Sequence, residues 1–104
     1  MIQLFQRMIS YALTLSEKQI SQTLTLLNEG ATIPFISRYR KEVTGGLDEV
    51  QIEAIQTRYE KLKETAKRKE TILSTMEEQG KLTAELRKRI EETWDNTTLE
   101  DIYL

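Results

Sequence analysis

Residues 30–51 read GATIPFISRYRKEVTGGLDEVQ, and this stretch decides how the chain folds. It contains the only proline, three of the four glycines and a cluster of basic side chains. Gly30 is expected to end a helix, because glycine readily adopts the left-handed backbone found at helix C-termini. Pro34 is expected in the first turn of the next helix, where its missing N–H costs nothing.

The second half of the stretch predicts a turn into another helix. Gly45 and Gly46 follow the basic cluster, and glycine pairs are typical of turns. Asp48 is three residues before Gln51, the spacing of a capping box at a helix start. We therefore predict a structural corner formed by Gly30, Pro34, Gly45, Gly46 and Asp48.

Composition excludes several classes of protein. The chain has 104 residues, a net charge of −2, 38% hydrophobic and 31% charged residues, which suits one small globular domain. It contains no cysteine and no histidine, so disulfides, zinc fingers and histidine-based catalytic triads are excluded. No apolar run approaches the roughly 20 residues of a membrane span. We expect a cytoplasmic protein without a membrane partner.

The spacing of apolar residues predicts an all-α, multihelical fold. We expect a single helical domain over residues 1–104, with a helix-turn-helix-like N-terminal part and a long helix in an antiparallel hairpin. Its last residues resemble the first turn of an interrupted element, so we expect a truncated piece of a larger protein. The predicted segments are short helices in 1–43, the hairpin in 47–95 with its long helix at about 49–78, and the start of an element at 97–104.

The long helix carries a narrow apolar seam. Its apolar positions recur at spacings of three and four residues, the period of coiled-coil packing. Lys69 occupies a position at which this apolar pattern is interrupted. The seam positions are Ile52, Ile55, Tyr59, Leu62, Ala66, Leu73 and Met76.

A short helix from Thr32 to about Val43 is predicted to carry the basic cluster. Phe35, Ile36 and Tyr39 fall on one side of it, and Tyr39 is expected in the core. The basic residues occupy the other arc. These are Arg38, Arg40 and Lys41.

Arg38, Arg40 and Lys41 are the first candidates for nucleic-acid binding, because Arg and Lys contact phosphates and a neighbouring Tyr can stack on bases. An alternative interpretation is that the arginines bridge acidic residues and tie the turn to the long helix. The acidic candidates are Glu42, Asp48 and Glu49.

A second basic run on the long helix forms a weaker candidate. It could follow a nucleic-acid backbone, although a solvated helix face is the usual meaning of such a run. Nothing in the pattern predicts a catalytic residue, a metal site or a cofactor, so we do not expect an enzyme. The secondary candidates are Arg58, Lys61, Lys67 and Arg68.

Three stretches together resemble one protein family. EGATIPFISRYRKEVTGGLDEVQIEAI (29–55), RKETILSTMEEQGKLTAELRKRIEET (68–93) and LEDIYL (99–104) resemble the N-terminal region of the bacterial Tex proteins, which are transcription accessory factors. The similarity covers about residues 16–104.

The resemblance implies a large cytosolic protein that also contains a ribonuclease-H-like domain, helix-hairpin-helix elements and an OB-fold RNA-binding domain. It implies nucleic-acid binding coupled to transcription, without an established enzymatic activity. We expect this chain to be a helical scaffold that takes part in binding RNA or DNA through the full-length protein. The alternative is a protein-interaction module that docks on transcription machinery or on the other domains of the same chain, without contacting nucleic acid itself.

Overall fold

A computed structural model of the protein describes residues 2–103. These residues form seven α-helices and no strand, which confirms the predicted all-α, multihelical fold. The long helix has the predicted bounds. The helices are α1 (Ile2–Leu13), α2 (Glu17–Asn28), α3 (Ile33–Tyr39), α4 (Lys41–Thr44), α5 (Glu49–Glu78), α6 (Ala84–Glu92) and α7 (Asn96–Tyr103).

Side-chain caps fix where most helices begin. The Ser16 hydroxyl accepts from the Gln19 N–H while the Gln19 side chain accepts from the Ser16 N–H, a complete capping box. Asp48 and Gln51 form the same reciprocal pair, at 2.8 and 3.0 Å. The second box confirms the prediction for Asp48 and Gln51. Single side-chain caps are also present at Thr32 for α3 and at Thr83 for α6.

The chain divides into two compact units, and α5 contributes residues to both. Unit 1 is Met1–Glu60 and unit 2 is Lys61–Leu104. In unit 1, α2 contacts α1, α3 and α4. The buried apolar residues of unit 1 are Phe5, Ile9, Ile20, Leu24, Ile36, Leu47, Ile52 and Ile55.

Unit 2 has a core of its own, built from three helices. Ile72 and Met76 of α5 pack with Ile90 of α6 and Leu99 of α7. Burying such side chains is worth about 1.5–3 kcal/mol each, so this cluster is the main source of stability in unit 2. Partly buried apolar side chains surround it, namely Leu73, Leu82, Leu86, Ile102 and Tyr103.

The seam of α5 continues through the position at which the apolar pattern is interrupted. Lys69 is only 6% exposed, and Ile72, which the predicted seam omitted, is fully buried. The spacing of three and four residues therefore includes a buried charged position, although the seam residues Tyr59, Leu62, Ala66 and Leu73 are only partly buried. Lys69 can be buried because its ammonium group has partners in the C-terminal part of unit 2.

The short helix expected from Thr32 to about Val43 is interrupted at Arg40. That residue has φ −131° and ψ 29°, outside the helical range, and it separates α3 from α4. Its guanidinium donates from Nη1 to the Tyr39 carbonyl at 2.9 Å. The helix can end here because this bond satisfies a carbonyl that lacks a partner within α3.

The prediction that Tyr39 lies in the core is wrong. Tyr39 is 61% exposed and Phe35 is 39% exposed. The buried side of α3 is centred on Ile36 and Ser37, and the two aromatic rings lie outside it. A serine can take a core position here because its hydroxyl donates to the Pro34 carbonyl at 3.0 Å and to Glu49 Oε1 at 3.4 Å.

The last helix begins one residue earlier than the element predicted at 97–104. Asp95 Oδ2 accepts from the Thr98 N–H at 3.2 Å and from the Thr98 hydroxyl at 2.7 Å, so α7 starts at Asn96. Aspartate is at least as good an N-cap as threonine, because its carboxylate accepts from backbone N–H groups. These bonds favour the ionised form and lower the pKa of Asp95.

Candidate nucleic-acid interface

The short helix α3 and the start of α4 present aromatic and basic side chains together on the surface of unit 1. We call this group, Phe35, Arg38, Tyr39, Arg40 and Lys41, the α3 surface. The rings of Phe35 and Tyr39 lie one helical turn apart, with centroids separated by 5.4 Å and planes inclined at 48°. Both rings are accessible enough to contact a ligand.

Arg40 is packed onto this aromatic pair. Its guanidinium carbon lies 4.8 Å from the centroid of the Phe35 ring, within cation–π range. The bond from Nη1 to the Tyr39 carbonyl fixes the same group from the other side. Arg40 therefore holds a flat, charged plane beside the rings, an arrangement suited to both bases and phosphates.

Arg38 and Lys41 are exposed and keep their charges available. Among residues 2–103, no carboxylate oxygen lies within 4.0 Å of the cationic nitrogens of Arg38, Arg40 or Lys41. The alternative that Glu42, Asp48 or Glu49 neutralises this cluster therefore has no ion pair to support it. The Glu49 carboxylate accepts instead from the Ser37 hydroxyl.

The corner residues place the α3 surface beside α2. Gly45 ends α4 with φ +76°, and the Gly45 and Gly46 N–H groups both donate to the Lys41 carbonyl. Gln19 of α2 donates from Nε2 to the Thr44 carbonyl at 3.1 Å. A Cβ atom at Gly45 would lie 2.8 Å from that Nε2 atom and would displace the Gln19 amide, and the left-handed backbone of this residue favours glycine as well.

The other corner residues act at the ends of the neighbouring helices. Gly30 has φ +93° and follows α2, and Pro34 is the second residue of α3. Asp48 caps α5 through its bond with the Gln51 N–H. The chain thus changes direction at both ends of α3–α4 through residues whose backbone chemistry suits a turn.

Among the secondary candidates for nucleic-acid binding, Arg68 forms an ion pair inside unit 2. Arg68 donates to both carboxylate oxygens of Glu100, at 2.7 and 3.0 Å, and its guanidinium carbon lies 5.4 Å from the centroid of the Tyr103 ring. This bidentate pair raises the pKa of Arg68 and lowers the pKa of Glu100. The charge of Arg68 is therefore paired with the Glu100 carboxylate within unit 2. The remaining secondary candidates, Arg58, Lys61 and Lys67, are exposed.

Lys69 is a basic residue of α5 that is buried and is not available to a ligand. Its Nζ atom donates to the Glu91 carbonyl at 2.6 Å and lies 3.5 Å from the centroid of the Trp94 ring. Burial disfavours the ammonium form and lowers the pKa of Lys69. The only sequence signal for this role is that residue 69 falls in the heptad spacing of the seam.

The described residues contain neither a metal-binding cluster nor a membrane-spanning helix. Over residues 2–103 there is no cluster of three or more acidic, histidine or cysteine side chains that could hold a metal ion. Within the same range no helix is both long enough and apolar enough to cross a membrane.

Comparison with known proteins decides the family. The family model described as the Tex-like protein N-terminal domain matches residues 3–77. The chain belongs to the Tex family. It is 47% identical over 98 residues to the transcriptional accessory protein Tex of Neisseria gonorrhoeae, covering 94% of this chain and 13% of that relative. It is 46% identical over 100 residues to protein YhgF of Escherichia coli K12, covering 96% of this chain and 13% of that relative.

A more distant Tex relative extends the comparison beyond bacteria. The S1 RNA-binding domain-containing protein 1 of Pongo abelii is 36% identical over 62 residues, covering 60% of this chain and 6% of that protein. This chain therefore corresponds to the N-terminal region of Tex and spans about 13% of the length of its bacterial relatives.

Proposed function

We propose that this N-terminal Tex region is a non-enzymatic helical scaffold that binds nucleic acid through the α3 surface during transcription in the cytoplasm. One observation carries the proposal. Phe35 and Tyr39 form an exposed aromatic pair with Arg40 packed on it, and Arg38 and Lys41 have no carboxylate partner among the described residues. Stacking platforms flanked by free cations are what proteins use to bind single strands.

Net charge does not argue against this role. The chain is slightly acidic overall, at −2, but attraction of a phosphate backbone depends on the local arrangement of cations. The α3 surface concentrates three cations in four consecutive residues. The name of the Neisseria relative, a transcriptional accessory protein, supports a role beside transcription.

The direct test is fluorescence anisotropy of labelled single-stranded and duplex nucleic acids at two salt concentrations. We expect salt-dependent binding that is lost when Arg38, Arg40 and Lys41 are all replaced by Glu. Phosphate contacts release counterions, so the logarithm of the affinity should fall linearly with the logarithm of the salt concentration.

The matched control replaces Arg58, Lys61 and Lys67 by Glu, which changes the net charge by the same amount elsewhere. We expect this variant to bind nearly as well as the unaltered chain. An equal loss in both variants would show that only overall charge matters. No binding by the unaltered chain at low salt would overturn the proposal.

A second variant separates stacking from charge. Replacing Tyr39 by Ala removes an exposed ring without removing a cation, and base–aromatic stacking is worth about 1–3 kcal/mol per base. We expect weaker binding to single strands with an unchanged salt slope. Binding that is insensitive to this change would contradict a stacking role.

A second candidate function is docking of a protein surface on α1. Leu4 and Tyr11 are 39% and 91% exposed, and a spacing of seven residues puts them on one side of the helix. An apolar face of this kind could dock on transcription machinery or on other domains of the same protein. Such docking would depend little on salt and would survive the change of Arg38, Arg40 and Lys41 to Glu.

A further inference from the structure

A groove beside the α3 surface has free polar groups that the proposed function does not yet use. It has a volume of about 380 Å³ and lies between α2 and α4. This volume is at the low end of the range for small-molecule pockets, about 300–1,000 Å³. Its lining is formed by Lys18, Gln19, Gln22, Glu42, Val43 and Gly45.

Three of these lining residues keep their side-chain polar groups available. Lys18 and Gln22 lie one turn apart on α2, and Glu42 lies on α4. Among residues 2–103, the Lys18 ammonium, the Gln22 amide and the Glu42 carboxylate have no hydrogen-bond or ion-pair partner. Lys18 and Glu42 therefore line one groove with opposite charges but do not form a salt bridge.

The other polar wall of the groove is already fixed. Gln19 accepts from the Ser16 N–H and donates to the Thr44 carbonyl. The oxygen and the nitrogen of the Gln19 amide are both hydrogen-bonded, so Gln19 forms a fixed wall of the groove. The groups left to bind a ligand are those of Lys18, Gln22 and Glu42. Gly45 keeps Gln19 in place, since a side chain there would collide with it.

The groove and the α3 surface share helix α4. Glu42 of the groove directly follows Lys41 of the α3 surface, so their Cα atoms are about 3.8 Å apart. A strand whose phosphate contacts Lys41 is therefore within reach of the groove. A free carboxylate beside a phosphate contact lowers affinity for phosphate, but it is an acceptor for the N–H groups of a base.

We propose that this groove is a guanine-binding subsite for a single strand held on the α3 surface, an inference that rests on the proposed function. The unpaired Watson–Crick edge of guanine presents the O6 acceptor beside two N–H donors, at N1 and N2. Lys18 donates to O6, and the Glu42 carboxylate accepts from both N–H groups. Only an unpaired base exposes this edge, so the ligand is a single strand and not a duplex.

The test compares labelled oligonucleotides of about ten residues, within the usual site size of 4–16 nucleotides. One is all uridine, one has a central guanosine, and one has inosine in its place, which lacks the N2 amino group. We expect the guanosine strand to bind about fivefold to tenfold more tightly than the uridine strand, with inosine in between.

Two variants, each with one Glu replaced by Gln, complete the test. Glu42→Gln should abolish the preference for guanosine and bind all-uridine strands at least as tightly as the unaltered chain, because it removes a carboxylate beside a phosphate contact. Glu53→Gln, at an exposed position of α5, should keep the preference. Circular dichroism verifies that both variants are folded.

The outcomes separate this inference from the proposed function. Equal affinity for all three strands, or an equal loss of preference in the two variants, overturns the guanine subsite and leaves the α3 surface intact. Absence of binding to every strand overturns both.

Discussion

Basic side chains in the two units have different partners, although both sets look alike in the sequence. In unit 1, Arg38 and Lys41 are exposed and have no carboxylate partner among the described residues. In unit 2, Arg68 is bound to Glu100, and Arg87 lies 3.7 Å from both Glu77 and Glu91.

The difference follows from how each unit is held together. In unit 1, a neutral bond from the Gln19 amide to the Thr44 carbonyl joins α2 to α4, and an exposed ion pair between Arg7 and Glu17, at 4.0 Å, joins α1 to α2. In unit 2, cations reinforce the apolar core between α5 and the segment after it, with Lys69 on the Glu91 carbonyl and Arg68 on Glu100. A run of basic residues therefore indicates a binding surface only where the fold supplies no internal partner for it.

Reversing one charge in each unit should give the largest contrast. Lys69→Glu would place a carboxylate against the Glu91 carbonyl and the face of Trp94, and burying an unpaired charge costs several kcal/mol, about 3 or more. Arg38→Glu is at an exposed position and should change the free energy of unfolding by less than about 0.5 kcal/mol. Urea unfolding followed by circular dichroism measures both. Similar losses in the two variants would contradict the contrast between the units.

The neutral contacts of unit 1 can be tested at its glycine turn. Gly45→Ala combines a left-handed backbone with a Cβ atom 2.8 Å from Gln19 Nε2, and we expect a loss of about 2 kcal/mol. Gly46→Ala has φ +88° but no atom within 4 Å of the added Cβ, so the loss should be about 1 kcal/mol. Urea midpoints that are unchanged in both variants would refute the structural corner.

Acid should act on the charged contacts of unit 2. The bond from Arg68 lowers the pKa of Glu100, and bonds from Thr98 lower the pKa of Asp95. For a carboxyl group whose pKa is lower in the folded state, the stabilisation is complete above the unfolded-state pKa and is lost as the pH falls through the folded-state pKa. The thermal unfolding temperature should therefore decrease when the pH is lowered below about 4.5, where unfolded carboxyl groups begin to protonate.

A double variant identifies the groups responsible for that acid sensitivity. Replacing Asp95 by Asn and Glu100 by Gln removes both titrations, and Asn retains an oxygen that can cap α7. The unfolding temperature of this variant should depend less on pH between about 2 and 4.5. An unchanged pH profile would assign the acid sensitivity to other groups.

The smallest expected effect concerns the turn between α1 and α2. Thr14 has φ +56°, a conformation that is strained for a β-branched residue, so Thr14→Gly should stabilise the chain by about 0.5 kcal/mol. Thr57→Gly, the same change inside α5, should destabilise it by roughly the same amount. Opposite shifts of the urea midpoint are the expected result, and a loss in both variants would argue against strain at Thr14.

What could be predicted from the sequence was governed by local chemistry. The Ser16–Gln19 and Asp48–Gln51 boxes and the bounds of α5 depend on residues within one or two turns of each other. Asp95 was a missed local signal, because an aspartate three residues before Thr98 has the spacing of a cap.

The errors on the candidate site concern residues whose environment depends on distant segments. Tyr39 was assigned to the core and is exposed, whereas Lys69 was noted only as an interruption of the apolar seam and is buried. The partner of Lys69 at Glu91 is 22 residues away in the sequence. Nothing in the residues around position 69 specifies a carbonyl and an indole ring at that distance.

The contact between Lys69 and Trp94 also has an optical consequence. Trp94 is the only tryptophan of the chain, so indole emission comes from unit 2 alone. Tyr39, in the α3 surface, belongs to the other unit and emits at shorter wavelength. Without any added label, selective excitation of the indole therefore follows the opening of unit 2 separately from any change at the α3 surface.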